Sequence, residues 1–97
     1  AGTSNFRAGV NAGNSIESGG NYNVVVGDEA GTAITTGDFN VFVGYASGDG
    51  TTTSSNNTAV GYDSLTANTT GANNVAVGAL SLECCSGYKC VRCFNSR

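Results

Sequence analysis

The sequence contains no proline, tryptophan, methionine or histidine, and only 11% of its 97 residues are charged. Without histidine, the usual general base and the imidazole metal ligand are missing, which excludes a Ser-His or Cys-His catalytic pair. Four Lys and Arg residues against seven Asp and Glu residues give a net charge of −3, which provides no basic surface for a phosphate backbone. We therefore expect neither an enzyme nor a nucleic-acid-binding protein, and no cofactor.

Large apolar residues are scarce as well, because much of the 39% hydrophobic fraction is alanine and valine. No apolar run approaches the roughly 20 residues of a membrane span, so we expect no membrane insertion. A chain of this kind does not easily form one thick core of leucine and phenylalanine. Together with fifteen glycines, this composition favours many thin layers, and therefore a repeat.

A repeat is present, and it is anchored on one glycine in each copy. Its copies are SNFRAG, YNVVVG, FNVFVG, NNTAVG and NNVAVG, which end at Gly9, Gly27, Gly44, Gly61 and Gly78 with spacings of 18, 17, 17 and 17 residues. An asparagine stands four positions before each glycine. A second glycine recurs ten residues later at Gly19, Gly37 and Gly71, so we interpret Gly20 as the extra residue of the longer first copy.

A period of 17 residues is too short for helix-pair repeats, but it suits one coil of a parallel β-solenoid. The segment N-x-x-x-G alternates with period two, which is typical of a strand. We predict an all-β solenoid of about five coils, in which the asparagines form a ladder or hold the turns and the glycines form the corners. The ladder residues are Asn23, Asn40, Asn57 and Asn74, and the corner residues are Gly27, Gly44, Gly61 and Gly78.

The two faces of the predicted strands carry different side chains. The valine-rich pairs are predicted to point into the solenoid; they are Phe6/Ala8, Val24/Val26, Val41/Val43, Thr58/Val60 and Val75/Val77. The opposite face then carries Arg7, Val25, Phe42, Ala59 and Ala76, and is apolar after its first member. Either another segment of the same chain or neighbouring chains would cover such a face. We favour neighbouring chains, with Val25, Phe42, Ala59 and Ala76 at the subunit interface.

Three copies of the repeat resemble a known motif. FNVFVGYAS (39–47), NNTAVGYDS (56–64) and NNVAVGALS (73–81) resemble the NSVAIGxxS repeat in the heads of trimeric autotransporter adhesins, and residues 56–82 also resemble repeats of bacteriophage tail fibres. The resemblance implies a left-handed parallel β-roll that associates as a homotrimer. It also implies an extracellular, cell-surface or virion-surface location and a structural, adhesive role, with a host surface or glycan as a possible ligand.

The repeat region, residues 1–83, is followed by a cysteine-rich segment, residues 84–97. All four cysteines lie there, as Cys84, Cys85, Cys90 and Cys93. Four thiolates can hold zinc, but adjacent ligands are unusual in structural zinc sites, and a redox-active CxxC lacks its βαβ context. We favour disulfides, which fit an oxidising compartment. The spacing leaves open the pairing and whether the bonds join one chain or two.

Charge is divided at the same boundary. All seven acidic residues lie within residues 1–83, where Arg7 is the only basic residue, while Lys89, Arg92 and Arg97 give the terminal segment three positive charges. A basic end could meet the acidic end of another copy. This division adds a head-to-tail filament to the homotrimer as a possible assembly.

Threonines recur between the two glycines of each copy, at Thr35-Thr36, Thr51-Thr52-Thr53 and Thr69-Thr70. Flat threonine ranks on a β-solenoid can bind ice, so an ice-binding protein is the main alternative function. The first copy has Glu17 and Ser18 instead, and no T-x-T spacing is maintained, which favours a structural role. Tyr45 and Tyr62 follow successive corner glycines, where they can stack between coils or form a platform for sugars.

Overall fold

The computed structural model describes residues 2–66 and 70–82. Five short strands within these residues form a single parallel β-sheet. The strands are β1 (Phe6–Ala8), β2 (Val24–Val26), β3 (Val41–Val43), β4 (Thr58–Val60) and β5 (Val75–Val77). They are hydrogen-bonded in sequence order, and every pair is parallel. Over these described residues the chain contains no helix, and therefore none that could span a membrane.

The strands are stacked in strict register as a β-solenoid of about four turns, which confirms the predicted all-β repeat architecture. Val24 pairs with Val41, and Val41 with Thr58, so from β2 onward each strand lies beside the strand 17 residues later. The turns follow the same register, because Glu17 N–H donates to Thr35 O and Thr35 N–H donates to Thr52 O, both at 2.9 Å. Backbone hydrogen bonds therefore connect successive coils around most of the circumference.

The extra residue of the first coil is Gly19, and not Gly20 as predicted. Gly20 is buried, and its carbonyl accepts a hydrogen bond from Asn5 Nδ2 at 2.9 Å. The equivalent bond in the next coil joins Asn23 Nδ2 to Gly37 O, so Gly20 and Gly37 occupy the same column. Gly19 is exposed at a φ of 106°, where an additional residue can be accommodated without breaking the stack.

Asparagines from successive coils form a hydrogen-bonded ladder, whose members are Asn5, Asn23, Asn40, Asn57 and Asn74. At its centre, the backbone N–H and Nδ2 of Asn40 both donate to Asn23 Oδ1, at 2.9 and 3.1 Å. Asn40 Nδ2 also donates to Ser54 O in the next coil, and Asn40 Oδ1 accepts from the backbone N–H of Asn57, both at 3.0 Å. Each interior asparagine therefore connects three coils.

The interior of each coil is thin, and residues of different size compensate for one another there. Phe42 is fully buried, and a Cβ on Gly48 would lie 2.5 Å from two carbons of its ring. The next coil has the reverse combination, with Ala59 in the phenylalanine position and a buried Leu65 in the position of Gly48. Gly48 and Leu65 have nearly the same backbone conformation, at φ values of 61° and 56°. In these two coils, the space between the two positions therefore holds one large side chain, from either side.

Arg7 occupies the interior column at the first coil, opposite Val25 of the second. Its Nε donates to Ala12 O at 2.8 Å, and its Cγ lies close to the position that a Cβ on Gly13 would occupy. The aliphatic part of the side chain thus lies along the interior, while the residue remains exposed. At this end of the described solenoid, the apolar column ends in a positive charge.

Close contact between coils requires glycine at four of the corners after the strands, Gly9, Gly27, Gly44 and Gly61. Gly27 and Gly44 have a φ of 126°, in a region that other residues rarely adopt. A Cβ on Gly27 would lie 2.8 Å from the carbonyl carbon and oxygen of Gly44. Since that obstacle is backbone, it cannot move aside, and glycine is needed at each of these corners.

Candidate interaction surface

Exposure alternates along strands β2 to β5 and their flanking residues. In the second coil, Tyr22 and Asp28 are exposed, Val24 and Val26 are half-buried, and Asn23 and Val25 are buried. The following coils repeat this alternation. We call the outward strand positions the outer face; they are Phe6, Ala8, Val24, Val26, Val41, Val43, Thr58, Val60, Val75 and Val77.

The structure reverses the predicted orientation of the strands. Val25, Phe42 and Ala59 are 0% exposed and Ala76 is 2% exposed, so these four predicted interface residues lie inside their own chain. Val75 and Val77, which were predicted to point inward, are 66% and 67% exposed. The asparagine ladder explains the reversal: because side chains alternate along a strand, a buried Asn23 places Val25 inside and Val24 outside.

The outer face is almost entirely apolar. Apart from Thr58, every outward position of the five strands is valine, alanine or phenylalanine. The five strands span roughly 19 Å along the stack and each three-residue strand about 10 Å across it, or about 200 Å² at ordinary strand spacing and rise. Together with the aromatic rings that border it, this apolar surface reaches the few hundred Å² that are typical of an interaction site.

Two columns of larger side chains border the outer face. The leading column precedes the strands and consists of Ser4, Tyr22, Phe39, Asn56 and Asn73. The trailing column follows the corner glycines and consists of Val10, Asp28, Tyr45, Tyr62 and Ala79. Both columns are exposed throughout.

Each column contains one stacked aromatic pair. The ring centroids of Tyr22 and Phe39 are 5.2 Å apart with an interplanar angle of 9°. Those of Tyr45 and Tyr62 are 5.8 Å apart at 16°. Only the second pair was predicted from the sequence. The 17-residue spacing of Tyr22 and Phe39, each directly before a ladder asparagine, is the signal that indicates the first. All four rings are at least half exposed, so they extend the apolar surface on both sides.

The threonines lie on another part of the coil and do not form a broad flat rank. Ser18, Thr36, Thr53 and Thr70 form one exposed column. The preceding column is half-buried at Thr35 and Thr52, and Thr51 is fully buried in the interior. The exposed hydroxyl surface is therefore one residue wide.

Acidic side chains gather beyond the trailing column. Asp49 lies close enough to Asp63 and Glu29 for both carboxylates to affect its titration. Burial raises the pKa of Asp49 most, Asp63 raises it further, a backbone hydrogen bond of Asp49 itself opposes the shift, and Glu29 adds to it. Among the described residues, no three acidic or cysteine side chains are arranged to hold a metal ion.

Replacement of Asp49 by threonine is expected to stabilise the fold slightly at neutral pH. Because the folded pKa of Asp49 lies above 3.8, folding favours its protonated form, so stability falls as the pH rises from 3.8 through the folded pKa. Threonine, which occupies this position as Thr32 and Thr66, removes that cost. We expect the midpoint of thermal unfolding to rise by about 1–2 °C at pH 7, since the site is partly exposed, and to be unchanged at pH 3.

Asp38→Asn provides the control, because Asp38 Oδ1 instead accepts a hydrogen bond from the backbone N–H of Asn21 at 2.8 Å. It should not raise the midpoint of thermal unfolding at pH 7. An equal gain from Asp49→Thr at both pH values would show that charge is not the cause.

Comparison with protein-family models, with curated proteins and with solved structures gives no match to this chain. The surface itself therefore supports the functional interpretation. The four cysteines, for which disulfides are predicted, lie outside the described residues.

Proposed function

We propose that this chain is a non-catalytic structural module of an extracellular or virion-surface fibre or adhesin, and that it assembles as a homotrimer. The observation that carries the proposal is the apolar outer face. It continues through every described coil, and in the last coil Val75 and Val77 are about two-thirds exposed. A surface of this kind needs a partner, and a second copy offers the same repeat at the same spacing.

Three copies can place their outer faces around one axis, so that each face is covered by its two neighbours. The resemblance to trimeric adhesin heads supports the same number, and with it the left-handed coiling.

The head-to-tail filament is the less favoured assembly. Stacking another solenoid onto the first coil would cover Arg7, whose charge occupies the interior column there. Burying that charge without a partner costs more than the apolar contacts of one thin coil provide. Within the proposal, the cysteines instead staple the other end of the module by disulfides.

Val43→Glu is expected to convert the trimer into folded monomers. Val43 lies on the outer face of the central strand, so the carboxylate would be brought into the shared core of all three copies. Sedimentation equilibrium should show a trimer for the unchanged protein and a monomer for the variant, with a dissociation midpoint at least ~100-fold higher. The far-ultraviolet circular dichroism should not change.

Thr36→Glu is the matched control, because it adds the same charge at an exposed position away from the outer face. It should sediment as a trimer. A protein that remains monomeric at all accessible concentrations would overturn the proposal, and particles that lengthen with concentration would identify the filament instead.

The ice-binding alternative is supported by one observation, the exposed column of Ser18, Thr36, Thr53 and Thr70. Its width of a single residue favours the structural role. Thermal hysteresis of the assembled protein distinguishes the two functions.

A further inference from the structure

The columns that border the outer face are chemically different from each other. Coil by coil, the leading column offers a phenol, a phenyl ring and an amide, as Tyr22, Phe39 and Asn56. In the same three coils, the trailing column offers a carboxylate and two phenols, as Asp28, Tyr45 and Tyr62. On one chain the two columns lie on opposite sides of the strands and do not meet.

A cyclic assembly brings these columns together. In a ring of three copies with the stacking direction along the axis, the leading side of each outer face adjoins the trailing side of its neighbour. The strands lie across the axis, so residues of the same coil meet at the same height. We propose that the corners of the trimer are built by same-coil pairing of Tyr22 with Asp28, Phe39 with Tyr45, and Asn56 with Tyr62 of the neighbouring copy. The inference rests on the proposed homotrimer.

In the second coil, the pairing joins a hydrogen-bond donor to a charged acceptor. Asp28 Oδ1 accepts a hydrogen bond from the backbone N–H of Val10 at 2.9 Å. This bond orients the carboxylate and leaves its second oxygen for the Tyr22 hydroxyl of the neighbour. A hydrogen bond from a phenol to a carboxylate is charge-assisted and stronger than a neutral one.

In the third coil, the pairing joins the two aromatic stacks. Phe39 ends the stack that begins at Tyr22, and Tyr45 begins the stack that continues to Tyr62. Contact between Phe39 and Tyr45 of neighbouring copies therefore unites four rings at each corner. In the fourth coil, the amide of Asn56 and the hydroxyl of Tyr62 can exchange hydrogen bonds.

A displacement of one coil between neighbours loses this complementarity in either direction. Displaced one way, the ring of Phe39 lies beside the carboxylate of Asp28 and removes water from it without replacing the lost hydrogen bonds. Displaced the other way, Tyr22 lies beside Tyr45 and its hydroxyl loses the charged acceptor Asp28. The same-coil register is therefore the favoured one.

A charge exchange tests both the contact and the register. Phe39→Lys and Tyr45→Glu each place one uncompensated charge at the corner, and each should raise the trimer dissociation midpoint roughly tenfold or more. The two substitutions together should bring it back to within about threefold of the unchanged protein, because the charges then meet across the corner. Phe39→Lys with Tyr62→Glu, one coil out of register, is the matched control and should give no recovery.

The outcomes separate the pairing from the trimer itself. Equal recovery by the two double variants, or no recovery by either, would overturn the same-coil pairing while the unchanged protein remains a trimer. An unchanged protein that never associates would overturn the proposed function.

A second measurement applies if a charged variant does not fold. Tyr22→Phe removes a single hydroxyl and should raise the dissociation midpoint about fivefold. Asp28→Asn should raise the dissociation midpoint much less in the Tyr22→Phe background than it does alone. Fully additive effects of the two substitutions would contradict the pairing of Tyr22 with Asp28.

Discussion

Replacement of Asn40 by alanine is expected to unfold most of the solenoid. The substitution leaves the backbone N–H of Asn57 and the carbonyl of Ser54 without the side chain that they contact at 3.0 Å. Asn23 Oδ1 loses one of its donors as well. Each buried group left unsatisfied costs about 1–3 kcal/mol. The total, about 3–5 kcal/mol, is most of the stability of a small domain.

Chemical denaturation monitored by circular dichroism measures this effect, as a loss in the free energy of unfolding. Asn14→Ala is the matched control: Asn14 is exposed, and its side chain donates only to Asn11 Oδ1 at 3.3 Å. It should cost less than about 0.5 kcal/mol, as surface substitutions usually do. If the two variants were equally stable, the ladder would contribute nothing to the fold.

The double variant Phe42→Ala with Gly48→Leu is expected to restore a core that either substitution alone disrupts, because it moves the large side chain from one position of the coil to the other. Phe42→Ala should cost about 3–5 kcal/mol by leaving a cavity. Gly48→Leu should be at least as costly, because its Cβ alone would overlap the Phe42 ring. The double variant reproduces the Ala59 and Leu65 combination of the next coil and should recover to within about 2 kcal/mol of the unchanged protein.

The recovery is the decisive measurement, and it is read as the coupling free energy of the double-mutant cycle. Phe6→Ala, at an exposed phenylalanine of the outer face, controls for the loss of an aromatic ring; measured below the dissociation midpoint of the trimer, it should have little effect on the stability of the chain. Additive losses would show that the two positions do not share one space.

The strand positions, the coil period and the parallel order were predictable because a solenoid repeats one environment at a fixed interval. The glycine at Gly27, Gly44 and Gly61 marks the same corner each time, so alignment on it places every strand. Nothing comparable marks the inside of a coil. Hydrophobicity alone suggested that the valines point inward. The buried ladder asparagine, however, determines which alternate residues of the strand lie inside, and it leaves the valines outside.

The assignment of Gly20 failed for a related reason. Two adjacent glycines are equivalent in the sequence, and only the hydrogen bond from Asn5 shows which one belongs to the stack. The exchange of size between Phe42 and Leu65 was also missed, because these residues belong to different columns of the repeat, and alignment compares residues within one column. The outer face, on which the proposed assembly is based, was not predictable from the sequence, because it is identified only by the exposed fraction of each side chain.

The reach of each ladder asparagine across three coils bears on how the solenoid unfolds. In most repeat proteins, a unit interacts only with its immediate neighbours, so ends fray one unit at a time. The ladder follows the same rule, because Asn40 bonds to Asn23 and Asn57 in the two coils directly beside it and to no coil further away. An interior coil therefore loses ladder bonds on both sides when it opens, whereas an end coil loses them on one side. Unfolding should start at the ends, and under tension the module should lengthen in steps of one coil.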